Sequence, residues 1–175
     1  MPISLNASIL SSFNINFSET KDNVITSTDI IDKQIVSSYT YPTGVSIGSS
    51  EADLSVQQTG VLSSGGYVNI DLTSIEKDAF NVDGVAQFSG VRFIGIVNDS
   101  TPSGYNISVT ATGSNAFTPL FNGGSGNLLI NPTSAFSYND PYDSLRTSTS
   151  SKNIQLNDVG GSGASYSVIV LGDSS

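Results

Sequence analysis

At 175 residues the chain suits one domain and is long enough to bury most of the surface its unfolded form exposes. Only 12% of the residues are charged and 37% are hydrophobic, with Val and Ile plentiful and Ser, Thr, Asn and Gly filling the remainder, a mixture that excludes the usual disordered composition. Six basic against fifteen acidic residues give a net charge of −9, which opposes binding to nucleic-acid phosphates and to anionic membranes, and the lack of Cys and His removes disulfides, thiolate metal sites and the commonest catalytic base.

The opening Met-Pro-Ile-Ser-Leu-Asn has no basic region followed by an apolar run, so no signal peptide is expected, and no apolar run reaches transmembrane length. Phe13, Ile15 and Phe17 alternate with Asn14, Asn16 and Ser18, the period of two that sets one strand face in a core and the other in water. Residues 24–31 read as a second short strand. Between 37 and 60, Tyr39, Tyr41, Val45 and Ile47 alternate weakly around Pro42 and Gly44, which fits an edge hairpin or a loop that meets a partner. Residues 66–98 hold two stronger runs: Val68, Ile70 and Leu72 alternate with polar neighbours, and 85–97 becomes wholly apolar at Phe93 to Val97, as in a strand covered on both faces. Paired as a hairpin, these two runs are the expected centre of the fold. Gly90 and Gly95 leave room for a bulge or a close backbone neighbour.

After a turn cluster with Pro102 and Gly104, Tyr105, Ile107, Val109 and Ala111 mark a half-buried strand. Residues 113–126 form a long irregular connection anchored by Phe117, Leu120 and Phe121. Strands follow at 128–130, stopped by Asn131-Pro132, and at 143–149, 153–157 and 165–171. Helical periodicity is limited to one turn near 75–79. The fold class expected is all-β: a single-domain antiparallel β-sandwich or jelly-roll with little or no helix, in which residues 1–65 supply an N-terminal arm and first strands and 66–175 the sandwich core of one continuous domain.

No catalytic residue is assigned. Asp140 and Asp143 flank Pro141-Tyr142, and Asp71, Glu76, Asp78 and Asp83 lie near the central runs, which are the groups a polysaccharide-cleaving carboxylate pair would use. Aspartates in turns ordinarily accept backbone hydrogen bonds, and that reading prevails. Serine has no His to activate it, and the Asp140–Asp143 spacing lacks a calcium-loop ligand series, so neither metal nor cofactor is expected. Gly123-Gly124-Ser125-Gly126 and Gly160-Gly161-Ser162-Gly163 are not followed by Lys-Ser or Lys-Thr and read as flexible turns. Tyr39, Tyr41, Tyr138 and Tyr142 offer a sugar-stacking surface, against which stands the commoner role of tyrosine as a half-buried strand residue.

The succession Ile70-Asp-Leu-Thr, Asp78-Ala-Phe and Phe88-Ser-Gly-Val-Arg-Phe-Ile-Gly-Ile-Val-Asn98 continues with Gly113-Ser-Asn-Ala-Phe117, residues 124–130, Asp143-Ser-Leu-Arg146 and Tyr166-Ser-Val-Ile-Val-Leu-Gly172. In this order it resembles a family of small proteins encoded among the virion genes of tailed bacteriophages. The family's Pro-Gly-Gly run and the Gly-Trp of its next turn are replaced here by Gly123-Gly-Ser-Gly126 and Ala135-Phe136-Ser137-Tyr138. The resemblance implies a capsid cement or decoration protein on the outer face of the virion shell, bridging major capsid protein subunits, made in the host cytoplasm and homo-oligomeric, with a trimer as the family-level form. It covers residues 66–172, which leaves the N-terminal segment as the shell-clamping arm, with Ile3, Leu5, Phe13, Ile15, Phe17, Tyr39 and Tyr41 as partner-binding candidates. The same N-terminal residues read equally as a first core strand. The alternative function is a tail or fibre module that binds host surface glycan.

Overall fold

The computed structural model describes residues 9–21, 24–37, 54–76, 85–140 and 143–174. Its strands are β1 (Ile9–Lys21), β2 (Val24–Ser37), β3 (Leu54–Val61), β4 (Tyr67–Asp71), β5 (Ile75–Glu76), β6 (Val85–Ala86), β7 (Phe88–Asn98), β8 (Ile107–Thr110), β9 (Asn127–Ile130), β10 (Ala135–Asn139), β11 (Leu145–Arg146), β12 (Asn153–Asp158) and β13 (Ser165–Ser174). The helical content of the described residues is one 3-10 turn, Thr118–Phe121. The chain divides into two compact units, one of them Asn6–Tyr41, which holds β1 and β2 as an antiparallel ribbon. The strands from β3 onward belong to the other.

That second unit is a sandwich of two antiparallel sheets. One sheet runs β10-β7-β13-β3, with β11 also on β7, and the other runs β4-β12-β8-β9. Setting aside the two-residue strands, the first of the eight main strands lies beside the last, and the second beside the seventh, while the chain passes back and forth between sheets. This is jelly-roll order. Each inward face is built from the alternation seen in the sequence: Ile70 on β4, Ile94 and Ile96 on β7, Ile107 and Val109 on β8, Ile154 and Leu156 on β12, and Val168 and Val170 on β13 are all buried in one core. Full burial of an aliphatic side chain contributes roughly 1.5–3 kcal/mol, so this shared interior is what holds the two sheets face to face.

Three expectations change. The runs at 68–72 and 85–97 do not pair as a hairpin, because β4 pairs with β12 and β7 with β13, β10 and β11. Their difference in character explains the separation: β4 has one wet face and suits a sheet edge, whereas β7 is buried along nearly its whole length and lies inside its sheet between β10 and β13. Among the described residues, the segments are joined locally by the two-residue ladder of β5 with β6 and by the Phe88 N–H donating to the Leu72 carbonyl at 3.0 Å. Ile75 and Glu76 lie in a strand, not a helical turn, and 77–79 fall outside the described residues. Residues 135–138, aligned with a family turn, belong to strand β10, with Phe136 and Tyr138 opposite Ile96 and Ile94 of β7.

Of the two glycines expected to permit a bulge, Gly90 lies beside one, whereas Gly95 is regularly paired with Ile169 and Ser137. The β7–β13 register passes over Arg92 between Leu171 and Gly172, and over Ser89 between Asp173 and Ser174. A Cβ at Gly90 would lie 2.5 Å from Ser144 Oγ, and one at Gly172 would overlap the Gly90 carbonyl, so the bulged segment needs both. The Phe93 ring lies across Gly95.

Candidate functional site

Of the partner-binding candidates, Ile3, Leu5, Tyr39 and Tyr41 lie outside the described residues, and Phe13, Ile15 and Phe17 fall on β1. Their register is defined: Phe13 stands opposite Lys33, Ile15 opposite Ile31, Phe17 opposite Asp29 and Ser11 opposite Ile35. Directly opposed residues share a face of a ladder. The register therefore groups Ile9, Phe13, Ile15, Phe17, Ile31 and Ile35 on one face together with Ser11, Asp29 and Lys33, and Ser12, Asn14, Asn16, Gln34, Asp32 and Thr28 on the other, with Leu10, Ile30 and Val36 among them. A register irregularity between Glu19 and Thr20 ends this pattern near the strand tip.

Of the candidate carboxylates, Asp71 and Asp140 are engaged with their own chain. Asp140 Oδ1 accepts the Asp143 N–H at 3.0 Å, and its Oδ2 lies 3.4 Å from the donating Tyr138 hydroxyl. Partial burial, together with the negative charges of Asp140 and Asp143, pushes the Tyr138 phenol above its ordinary pKa. Asp71 Oδ1 accepts from the Thr73 N–H at 2.9 Å and hydroxyl at 2.7 Å, while Oδ2 pairs with Lys152 at 2.6 Å. Burial alone acts to raise the Asp71 carboxyl, but Lys152 and Thr73 outweigh it and hold it below the ordinary value. Asp78 and Asp83 lie outside the described residues. Among the described residues, no three acidic groups gather into a set that would hold a metal ion.

Two polar clusters lie outside the residues singled out from the sequence. Arg92, in the middle of the apolar run of β7, is fully buried and donates through Nε to Asp173 Oδ1 at 3.0 Å and through Nη2 to Oδ2 at 3.3 Å, and Asp173 is fully buried too. The signal was available: an arginine inside an apolar run needs an acidic partner, and Asp173 ends the apolar run of the last strand. Asp158, at the end of β12 and 5% exposed, accepts N–H groups from Gly65 at 2.9 Å, Gly160 at 3.2 Å and Gly163 at 2.8 Å. Burial works to raise this carboxyl, yet the glycine N–H donors prevail and lower it. The loop Gly160-Gly161-Ser162-Gly163, read as a flexible turn, is thus fastened to the 63–66 turn through one carboxylate. Gly160 is indispensable there, because a Cβ would overlap the Gly104 carbonyl.

A cavity of about 250 Å³ opens among Thr73, Gln87, Phe88, Ser89 and Thr147, Ser148 and Thr149. None of these side chains can act as an acid or base near neutral pH. No family model and no curated protein matches the chain. Among solved structures it is similar to the Yersinia pseudotuberculosis-derived mitogen, at 15% identity and a TM-score of 0.34, over 68% of this chain and 86% of that one.

Proposed function

We propose that the protein is a capsid cement protein that binds the outer face of a phage shell and bridges major capsid protein subunits, with the β1–β2 ribbon as its shell-contacting arm. The observation that carries this reading is the ribbon itself. Its two strands, of 13 and 14 residues, form one compact unit, and their register collects six apolar residues on one face. A two-stranded ribbon alone is marginal in water and gains from a surface to pack on. A capsid surface supplies one, and Phe13, Ile15 and Phe17 are the anchors. The ordered resemblance of residues 66–172 to virion-encoded proteins supports the same assignment, as does a jelly-roll body of low charge that has no call on the packaged DNA. Homo-oligomerisation, with a trimer as the expected form, belongs to this proposal.

The test is co-sedimentation with mature capsids that lack the protein, followed by heating and measurement of DNA release. Binding at a fixed copy number, with release moved to higher temperature, is the expected result. Ile15→Asp should abolish binding while leaving the sandwich's thermal unfolding unchanged. Failure of the intact protein to bind shells overturns the proposal.

A further inference from the structure

The outward side of the β4-β12-β8-β9 sheet is a grid whose rows are fixed by register. One row runs Tyr67, Asn157, Ser108 and Leu129, and the next Asn69, Gln155, Thr110 and Asn127. The second row is wholly amide and hydroxyl. The first ends in two exposed apolar groups, Tyr67 at 64% and Leu129 at 55% exposure. Hydrogen bonds cross every strand boundary. Gln155 Nε2 donates to Asn69 Oδ1 at 3.2 Å, and Gln155 Oε1 accepts from Thr110 at 3.3 Å and Thr112 at 3.2 Å. Asn157 Nδ2 donates to Thr110 Oγ1 at 3.1 Å, and Ser108 donates to Asn127 Oδ1 at 2.6 Å.

Gln155 is engaged at both ends of its amide, whereas Asn69, Asn127 and Asn157 each use one end and keep the other for a ligand. Asn69 Nδ2 and Asn127 Nδ2 remain as donors and Asn157 Oδ1 as an acceptor, held in place by their neighbours. Ligand binding to side chains already fixed costs little additional rotamer entropy. The one acidic group on these strands' outward side, Asp71, is neutralised by Lys152 at 2.6 Å.

We propose that this face binds a neutral oligosaccharide, with Tyr67 packing against a sugar ring and the amide ends of Asn69, Asn127 and Asn157 hydrogen-bonding its hydroxyls, while Gln155 holds Asn69 in place. A sugar hydroxyl both gives and takes hydrogen bonds, as the free amide ends require. The C–H face of the ring suits an exposed phenol whose other edge stays wet. With strands roughly 4.8 Å apart, Asn69 on β4 and Asn127 on β9 stand three spacings, about 14 Å, from each other, a span that suits an oligosaccharide and not a single sugar. Anionic glycans gain no cation here and meet a chain of net charge −9. This inference does not depend on the shell-binding proposal, and its test contains no capsid.

The full chain is titrated calorimetrically, and by backbone NMR, with neutral chito-, cello-, malto- and galacto-oligosaccharides, and in parallel with sialylated and sulfated ones. Binding of a neutral sugar is expected, with shifts confined to β4, β12, β8 and β9, and Tyr67→Ala should weaken it by about tenfold or more at an unchanged thermal midpoint. Gln155→Ala should weaken it as well. The proposal is overturned if no neutral sugar binds at millimolar concentration, if charged glycans are preferred, or if binding survives Tyr67→Ala. It is also overturned if Tyr67→Ala splits an oligomer in sedimentation, which makes the face a contact between copies.

Discussion

Asp158 offers the sharpest quantitative test of how the sandwich is closed at one end. Its carboxylate takes three backbone N–H donors from two separate turns, and each such bond to an ionised acceptor contributes about 1.5–3 kcal/mol, against about 1 kcal/mol for a neutral one. In Asp158→Asn the amide oxygen can take the place of Oδ2 and keep Gly65 and Gly163 as neutral bonds. The amide nitrogen then faces the Gly160 N–H, and that bond is lost. After allowing for the desolvation that a buried charge incurs, the net cost is about 2–4 kcal/mol, a large part of a typical domain stability. The pH dependence gives the argument its sign. The folded carboxyl titrates below its ordinary value, so its contribution is complete above the unfolded pKa and disappears as pH falls through the folded one. Urea unfolding of both proteins between about pH 7 and about pH 3 should therefore show a gap that is constant near neutrality and narrows at the acid end. A gap below about 0.5 kcal/mol at neutral pH, or one that does not narrow in acid, refutes the reasoning.

Arg92→Met should cost about 3–5 kcal/mol by leaving Asp173 buried without its guanidinium, while Arg92→Met combined with Asp173→Leu should cost clearly less than the two single changes added; additive values in a denaturation cycle would show that the pair is not coupled. Asn98 is fully buried, donates through Nδ2 to the carbonyls of Tyr105 at 2.7 Å and Ile130 at 3.0 Å, and accepts the Ser100 N–H at 3.1 Å. Asn98→Asp sets a carboxylate against two carbonyls, which raises that carboxyl's folded pKa, so its destabilisation should be greater at neutral pH than in mild acid. Thermal unfolding at the two pH values checks this, and a loss independent of pH contradicts it.

The fold class was legible because alternation is a local property. Val68/Ile70, Ile107/Val109, Ile154/Leu156 and Tyr166/Val168/Val170 each announce a strand with one buried face, and all of them line the core. Strand β3 was hidden for a definable reason. Two of its inward positions are Gln58 and Gly60, and a Cβ at Gly60 would lie 2.6 Å from the Tyr166 hydroxyl, so an aromatic side chain from β13 occupies space that β3's own residues leave empty. The apolar signal of that part of β3 is written on another strand. Strand β10 carried the ordinary signal in Phe136 and Tyr138, but the aligned family turn took precedence over it.

Pairing was less legible than class, and the candidate sugar-binding face shows why. Alternation already says that Asn69, Gln155 and Thr110 point away from the core, since each stands between inward residues. It does not say that they meet. The Gln155–Asn69 hydrogen bond spans 86 residues of sequence and the Thr110–Gln155 bond 45, and both depend on β12 lying between β4 and β8 in one register. A slip of one residue in β12 would bring Ile154 and Leu156 to the outside and dissolve the amide row together with the core. The burial of two aliphatic side chains, worth roughly 1.5–3 kcal/mol each, therefore fixes the register in which neutral amides align. The polar face inherits its order from the apolar one.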